Sequence, residues 1–439
     1  MSTKEKTYIT SLSRMINIPT ISNGKTIDMK VFDEFHEELR KLFPNVFKSF
    51  KYEEFDGSIL LSYLSTSNED PVLLMSHHDV VSCEDNWTTD PFDATVKDGK
   101  LYGRGTLDTK GNLWAMLTAI EELLSEGYKF NRSIYIESAC NEETSGQGAY
   151  SISRELKKRN IHFDFTLDEG GMIVYDPIES GVDGYFAMIA LGEKDYMDLK
   201  FVAKSKGGHS STPDKNNPLV RLSKFIVYVE SHKIFKPYLD DLTIETFKKL
   251  SIKTKGLLGF AFKHAKGLKH ILTKTLMKFS PVSKSLVSTT ICFTKAKGSE
   301  GYNIIPEEAY VTGNLRIAKH DSKEEIVKKL TKIANKYDIE VEIIDNGYAS
   351  PICSHKSKQY ELLTDVISDN FKDVISAPYL STGASDSKFF GDLSENNFRF
   401  APFKVSNAQL DSMHAKDENI DVCALEPAVN FYKDLLKRL

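Results

Sequence analysis

The stretch from residue 72 to residue 139 contains a strand, a helix and a strand in turn, and this pattern constrains the fold more than any other feature. The apolar segment 72-VLLM-75 predicts a buried strand, and 133-SIYIESA-139 predicts another. Between them, residues 112–127 carry apolar residues at helical spacing and end at Gly127, which predicts a helix that stops there. Two strands joined by a helix predict an α/β fold with a mostly parallel sheet and helices on both faces.

The sequence pattern changes after residue 193. The segment 196-YMDLKFVAK-204 alternates apolar and polar residues, as a half-exposed antiparallel strand does, and 308-EAYVTGNLRIA-318 is similar. A chain of 439 residues is also too long for one ordinary core, so we expect two domains. The prediction is a discontinuous α/β domain and a smaller inserted α+β domain, with these limits: residues 1–193 and 318–439 for the first, and residues 194–317 for the second.

Charge, hydropathy and cysteine usage exclude several classes of protein. The net charge of −5 is too mild to indicate nucleic acid as the main partner. The first residues, MSTKEKTYIT, are polar, and no apolar run approaches the roughly 18 residues that span a bilayer, so we expect neither a signal peptide nor stable membrane insertion. The five cysteines are scattered and odd in number, which is typical of reduced thiols in a cytoplasmic protein and indicates no cysteine metal site.

One segment of the predicted inserted domain is strongly basic. Residues 248–284 contain ten lysines and no acidic residue, interleaved with aromatic and aliphatic residues. One interpretation is a basic amphipathic surface for membranes or acidic partners. The other is a pair of helical segments that pack on one face and leave their lysines in water, which is the more common origin of such a pattern.

Histidine and acidic residues follow the predicted strands, where α/β sheets place their ligands. Residues two apart in a strand point to the same side, so His77 and Asp79 can act together while His78 faces away. A carboxylate that accepts a hydrogen bond from an imidazole fixes the tautomer and makes the ring a better ligand. Taken alone, such a pair more often contains a structural histidine.

Further candidates have a catalytic and a structural interpretation. Asp108 precedes the predicted helix, and is either a ligand or the residue that caps the helix. Glu142 and Glu143 follow the second strand, and either supply a cation ligand and a general base or form an exposed acidic turn. Asp168 ends an apolar stretch, and His414 lies in a polar loop. Histidine and carboxylate ligands without cysteine suit zinc, manganese or cobalt in a catalytic site.

The order of these motifs resembles a known family. MSHHDVVS, LYGRGTLDTKG, NEETSGQGA, LDEGG, GGHSSTP, YNIIP, NLRI and MHAKDENI occur in the family's order between about residues 8 and 437. The sequence resembles the zinc-dependent family that includes glutamate carboxypeptidase, succinyl-diaminopimelate desuccinylase, aminoacylase and Gly-X carboxypeptidase, and it looks most like the carboxypeptidase S branch.

The resemblance implies two zinc ions, with cobalt or manganese as substitutes, and a hydrolase that activates water between them. In the positions that match the family's motifs, the metal ligands would be His77, Asp108, Glu143, Asp168 and His414. Asp108 would bridge the two ions, often beside a cis peptide in this family. Glu142 would be the general base, Asp79 would orient His77, and His209 would stabilise the oxyanion.

The resemblance also implies a substrate and an assembly. Asn303 and Arg316, with Gly383 and Ala384 in the turn 382-TGASDS-387, would bind a substrate that carries a free carboxylate. The substrate would be a short peptide, cleaved as by a dipeptidase or carboxypeptidase, and the alternative is an N-acyl amino acid, cleaved as by an aminoacylase. A remote alternative is a metal-binding protein without activity. The inserted domain would act as a lid and as the interface of a homodimer.

Overall fold

The structure is a computed structural model, which describes residues 2–24, 27–83, 86–144, 146–178, 181–348 and 350–439. Contacts between residues divide the chain into two compact units. Unit one comprises Met1–Gly192, Glu245–Phe262 and Pro351–Leu439, and unit two comprises Glu193–Ile244 and Lys263–Ser350.

Fourteen α-helices lie within the described residues. They are α1 Thr3–Ile16, α2 Met29–Leu42, α3 Pro44–Ser49, α4 Lys110–Ser125, α5 Gln147–Lys158, α6 Pro218–Ser231, α7 Asp241–Leu250, α8 Gly256–Lys263, α9 Lys269–Phe279, α10 Pro281–Val287, α11 Lys323–Ala334, α12 Lys358–Asn370, α13 Asn407–Ser412 and α14 Leu425–Lys437. Short 3₁₀ turns occur at Ser251–Lys253, Asn335–Tyr337, Asp386–Phe389 and Val422–Ala424. Within the described ranges, every helix is too short or too polar to cross a bilayer.

The described residues also form nineteen strands in four sheets. They are β1 Lys51–Phe55, β2 Ser58–Tyr63, β3 Val72–Met75, β4 Thr95–Lys97, β5 Lys100–Tyr102, β6 Ile134–Ser138, β7 Phe165–Asp168, β8 Ile173–Tyr175, β9 Tyr185–Glu193, β10 Asp195–Lys204, β11 Gly208–His209, β12 Thr290–Lys297, β13 Ile304–Ile305, β14 Glu308–Ile317, β15 Glu340–Asp345, β16 Val374–Ser381, β17 Asn397–Arg399, β18 Lys404–Val405 and β19 Asn419–Asp421. The predicted strands at 72–75 and 133–139 are β3 and β6, and the predicted helix at 112–127 is α4.

A ten-stranded sheet forms the centre of unit one, with the order β1-β2-β6-β3-β7-β17-β9-β8-β18 and β16 beside β9. The four central strands β6, β3, β7 and β17 run parallel, and antiparallel strands flank them. This arrangement confirms the predicted α/β fold with a mostly parallel core. Because parallel strands end at the same edge, the loops after β3, β6 and β7 start side by side.

Helices cover both faces of this sheet. On one face, Leu73 and Met75 of β3 pack with Ile152 and Leu156 of α5 in one apolar cluster. The alternate residues of β3 point to the opposite face and are also fully buried. The helix α4, which packs with α1, α3 and α14, is buried along nearly its whole length, so its sequence is apolar on every side.

Unit two is a four-stranded antiparallel sheet with two helices packed on it. The strand order is β12-β14-β10-β15, and α6 and α11 contribute to the same apolar core. Phe201 of β10 and Phe225 of α6 lie at its centre, with ring centroids 4.6 Å apart. This is the smaller α+β domain that the alternating sequence pattern predicts.

The observed limits of unit two differ from the predicted limits of residues 194–317. Residues 318–350 belong to unit two, because β15 pairs with β10 and Ile326 and Leu330 of α11 enter its core. Residues 245–262 belong to unit one although they interrupt unit two in the chain. Thr246 Oγ1 donates to the carbonyl of Pro378 at 2.6 Å, which ties this segment to unit one.

Candidate metal centre

Three neighbouring parallel strands bring most of the predicted ligands to one edge of the central sheet. β3 leads into His77 and Asp79, β6 leads into Glu142 and Glu143, and β7 ends at Asp168. These residues are far apart in the sequence. Strand order therefore explains why they lie together.

The Asp79 carboxylate is fully buried and joins two of these strand ends. Its Oδ1 lies 3.3 Å from Nδ1 of His77, which also lies 3.0 Å from the backbone carbonyl of Asp79. The same Oδ1 accepts the backbone N–H of Glu142 at 3.1 Å, and Oδ2 accepts that of Glu143 at 3.2 Å. Both oxygens of Asp79 are thus engaged, which fits a residue that orients ligands rather than one that binds metal.

His77, Asp108, Glu143 and His414 form one cluster. Nε2 of His77 lies 3.1 Å from Oδ1 of Asp108, and Nε2 of His414 lies 2.9 Å from Oδ2 of Asp108. Nε2 of His414 also lies 3.0 Å from Oε2 of Glu143. Asp108 thus has one imidazole at each oxygen, which is the position of a bridging ligand, and its peptide bond to Thr109 is cis.

The carboxylates of the cluster are buried and close together, and their pKa values are shifted as a result. Burial raises the pKa of the Glu142 carboxyl well above its ordinary value, and burial also raises the pKa of Glu143. Hydrogen bonds to Asp108 and Glu143 raise the pKa of His414 to about 10. Burial alone would raise the pKa of Asp108, but hydrogen bonds from His414 and His77 hold this pKa well below the usual range.

Asp168 and the residue after it, Glu169, have different surroundings. Asp168 Oδ1 accepts the backbone N–H of Glu169 and its Oδ2 accepts that of Ser387, both at 2.8 Å. Burial raises the pKa of the Glu169 carboxyl well above its ordinary value, and the nearby charges of Asp168 and Asp108 raise it further. The Glu169 carboxylate therefore interacts electrostatically with Asp108 of the cluster, whereas both carboxylate oxygens of Asp168 accept backbone N–H groups. The motif LDEGG offers both acids, and the family resemblance implies Asp168 as the ligand.

Two other buried acids were not singled out from the sequence. Asp386 has both carboxyl oxygens buried without a hydrogen-bond partner among the described residues, and one oxygen of Glu137 is in the same situation. Burial raises the pKa of Asp386 to about 7 against the opposing effect of the Lys388 charge, and burial raises that of Glu137 well above its ordinary value. Glu137 alternates with apolar residues in β6, so the sequence carries only a weak signal for it.

The loop that carries Asp108 is held by a second buried carboxylate, Glu418. Glu418 accepts backbone N–H groups from Gly105, Leu107 and Asp108 at 2.8–3.1 Å. It also accepts from Nη1 of Arg104 at 2.7 Å, and this ion pair is almost entirely buried. Glu418 therefore fixes the backbone that positions the Asp108 carboxylate, and it follows His414 closely in the chain.

His78 points away from the ligand cluster. Its ring stacks on Phe35 with centroids 5.2 Å apart, and its Nε2 lies 3.3 Å from Nε2 of His36. Its Nδ1 lies 2.9 Å from Oγ of Ser138, whose hydroxyl donates to a backbone carbonyl. His78 is thus a buried structural residue, on the opposite side from His77.

The predicted residues of unit two group around a small hairpin and a strand. His209 of β11 pairs with Ile304 of β13, and Ser210 N–H donates to the carbonyl of Asn303 at 3.0 Å. The N–H of Ser211 donates to Nδ1 of His209, so a neutral ring carries its proton on Nε2.

Arg316 of β14 lies on the same unit. Its guanidinium sits 5.0 Å from the centre of the Tyr196 ring, and its Nη1 is buried without a hydrogen-bond partner among the described residues. A buried guanidinium nitrogen in this situation is costly unless a ligand completes it. This orphaned donor fits the predicted role of Arg316 in binding a carboxylate.

Gly383 and Ala384 belong to unit one, in the turn after β16. Gly383 is exposed and Ala384 is partly exposed. Four residues after Gly383, Ser387 donates its backbone N–H to Asp168. The turn is therefore tied to the end of β7, beside the ligand cluster.

The donor set of unit one fits a pair of divalent cations. One ligand atom each of His77, Asp108 and Glu143 lie within 4.8 Å of one another. Oε1 of Glu143 is buried and has no hydrogen-bond partner among the described residues. Imidazole and carboxylate donors without a thiolate are the ligands of catalytic zinc and its relatives.

Comparison with known proteins agrees with this geometry. The family model for peptidase family M20/M25/M40 matches residues 73–438. The chain is 30% identical over 437 residues to a probable carboxypeptidase S-like 2 of Dictyostelium discoideum, covering 97% of this chain and 84% of that protein. It is 29% identical to the N-fatty-acyl-amino acid synthase/hydrolase PM20D1 of Homo sapiens, covering 97% and 86%. The M20 family metallo-carboxypeptidase Sso-CP2 of Sulfolobus solfataricus has the same fold, with a TM-score of 0.70, 20% identity and coverage of 100% and 99%.

The contrast between His77 and His78 predicts their effects on metal content. His77→Ala removes a ring from the cluster, so this variant should lose most of its bound metal. His78→Ala removes only packing and hydrogen bonds, so it should keep much more metal while losing thermal stability. Metal per folded protein, measured by plasma mass spectrometry after dialysis, separates the two. Equal losses of metal in both variants would contradict the assignment.

The hydrogen bonds and the ion pair of Glu418 predict that replacing this residue strongly lowers the stability of the fold. Glu418→Gln leaves Arg104 buried without its counter-charge, and should lower the free energy of unfolding by about 3–5 kcal/mol. Glu426→Gln is the matched control, because Glu426 pairs with Lys4 at 2.9 Å on the exposed surface. This control should change stability by less than about 1 kcal/mol. Urea denaturation of both variants measures the difference, and similar midpoints would contradict the stabilising role of Glu418.

Proposed function

The chain belongs to the peptidase family M20/M25/M40, and from this premise we propose that it cleaves an amide bond beside a free carboxylate. It is a metal-dependent hydrolase of the carboxypeptidase type. The observation that carries the proposal is the cluster of His77, Asp108 and Glu143 with Glu142 next to it. These side chains combine a cation site with a neighbouring carboxylate that can move a proton.

We assign two zinc ions to this centre, with cobalt or manganese as substitutes. His77, Asp108, Glu143 and His414 are proposed ligands because they contact one another in the cluster. Glu169 is proposed as the fifth, in place of Asp168, because its carboxylate neighbours Asp108 and His77 whereas Asp168 is engaged by backbone donors. Bound there, the cations would supply Lewis acidity that polarises the substrate carbonyl and lowers the pKa of water.

The protein's own residues then position and transfer the proton. A carboxylate oxygen of Glu142 takes the proton of the attacking water and passes it to the leaving nitrogen, as a general base and then a general acid. Asp79 holds the backbone of Glu142 and the ring of His77 at the same time, so base and ligand keep a fixed relation. Burial of Glu142 favours a carboxyl group that can hold this proton between the two steps.

Unit two is proposed to recognise the substrate. Arg316 offers a buried, unpaired Nη1 to the substrate carboxylate, which it can bind in a charge-assisted pair. His209 carries its proton on Nε2, so it can donate to the oxyanion, with Asn303 close by. The family resemblance implies that such a histidine reaches the active site of the partner subunit. We therefore propose a homodimer through unit two.

Two substrate classes fit this chemistry. The similarity to a carboxypeptidase S-like protein favours a short peptide with a free carboxyl terminus. The similarity to an N-fatty-acyl-amino acid synthase/hydrolase favours an N-acyl amino acid. Both place an amide next to a carboxylate. The five cysteines all carry free thiols, which supports a reducing, cytoplasmic location.

The role of Glu142 predicts a variant that binds metal but does not turn over. Glu142→Gln should keep both metal ions and lower turnover by about 10²–10⁴-fold, because only the proton transfer is lost. The assay uses zinc-loaded enzyme with a panel of dipeptides and N-acyl amino acids, together with a measurement of metal content. Glu155→Gln, a change to a partly exposed side chain of α5 that pairs with Arg159, is the control and should turn over as wild type. Near-normal turnover in Glu142→Gln would remove the proposed base.

The role of Arg316 predicts a loss that depends on the substrate carboxylate. Arg316→Met should lower kcat/KM by about 10–100-fold for substrates with a free carboxylate, since a hydrogen bond to a charged group is lost. The same substrates with an amidated carboxyl group are the control, and the variant and the wild type should cleave them equally slowly. An equal proportional loss on both substrate sets would indicate that Arg316 has only a structural role.

A further inference from the structure

Unit one contains a short helix whose outer face is apolar although it is exposed to solvent. The helix α8 and the 3₁₀ turn before it leave Ile252, Leu257 and Phe260 exposed by 63%, 89% and 58%. Leu257 and Phe260 are three residues apart, and so share one face of the helix. We call these three side chains the α8 patch. Isolated exposed apolar residues are common on soluble proteins, but a contiguous group of them marks an interaction site.

The helix cannot rotate to bury its outer face. Its inner face already holds Gly259 and Phe262, which are buried. The ring of Phe262 stacks in parallel on that of Phe247, with centroids 4.7 Å apart. A Cβ added to Gly259 would lie 2.1 Å from a backbone carbonyl, that of Thr254, so this turn of the helix is tightly packed. The orientation of the α8 patch is therefore fixed by the packing behind it.

The sequence around the patch is strongly basic. Residues 248–284 contain ten lysines and no acidic residue. Lys255 and Lys263, which lie just before α8 and at its end, are exposed. Among the described residues, Lys248 alone of the ten forms an ion pair with a carboxylate, that of Glu245 at 2.9 Å. The charges of Lys255 and Lys263, which flank the patch along the chain, are thus left for an anionic partner to neutralise.

We propose that the α8 patch docks this protein onto an anionic lipid bilayer. Leu257 and Phe260 would enter the boundary between headgroups and acyl chains, while Lys255 and Lys263 lie among the negative headgroups. This combination of an apolar face and flanking lysines is how short amphipathic elements bind a membrane surface without crossing it.

The size of the patch favours a bilayer over a protein partner. A stable protein interface needs about 800 Å² from each partner, with a buried core of several side chains. The three side chains of the patch, two on α8 and one on the 3₁₀ turn before it, fall well below that area. Membrane binding instead grows with each inserted side chain and each lysine, so a small patch is sufficient for reversible attachment.

Sedimentation with lipid vesicles tests this proposal on the full-length protein. Vesicles of phosphatidylcholine alone and of phosphatidylcholine mixed with phosphatidylserine are compared at low and high salt. The protein should bind the mixed vesicles and leave the neutral ones, and salt should weaken the binding. Leu257→Ser should lower the partition coefficient by about tenfold, because one buried leucine side chain is lost. The pair K255Q and K263Q should lower it by more than about tenfold.

Matched variants distinguish the patch from general surface effects. Leu64→Ser removes another leucine of unit one that is 67% exposed, and should bind vesicles as wild type does. The pair K6Q and K97Q removes two exposed lysines elsewhere and should also bind as wild type. All variants should hydrolyse a soluble substrate normally, which shows that they fold. Absence of wild-type binding, equal binding to neutral vesicles, or equal behaviour of Leu257→Ser and Leu64→Ser would each overturn the proposal.

Discussion

The hydrogen bonds of the buried Asp79 carboxylate are the interaction on which the centre depends. Asp79 lies in the loop that follows β3, and it contacts the His77 ring while accepting N–H groups from the loop that follows β6. A ligand from one strand and the proposed base from another are thereby held by one side chain. The parallel pairing of β3 with β6 makes this possible, because it brings both strand ends to the same edge.

The same arrangement concentrates negative charge, which the fold must support. Asp108, Glu142, Glu143 and Glu169 lie close enough to influence one another's pKa values, and burial disfavours their ionised forms. Imidazoles offset part of this repulsion, and divalent cations would offset the rest. Glu418 accepts hydrogen bonds from three N–H groups of the loop that carries Asp108, and these bonds hold the backbone in place against the repulsion. The Glu418 carboxylate thus helps to keep the Asp108 carboxylate in place.

Local apolar patterns made the core of the fold predictable, and non-local pairing limited the prediction of its boundaries. β3, β6 and α4 were recognisable because their apolar residues are consecutive or at helical spacing. β15 was not, since five of its six residues are exposed and it is held by hydrogen bonds to β10. The segment 245–262 returns to unit one through contacts such as the hydrogen bond from Thr246 to the carbonyl of Pro378, which sequence order does not reveal.

The same limit applies at the level of single residues in the site. Residue types and strand parity were enough to propose that His77 and Asp79 act together, and the structure brings them into contact. For the adjacent acids of LDEGG, parity says only that Asp168 and Glu169 face different directions. In the structure, a backbone N–H from Ser387, 219 residues further along, engages Asp168. Any residue except proline can supply such a donor, so the sequence gives no sign of which of the two acids is anchored in this way.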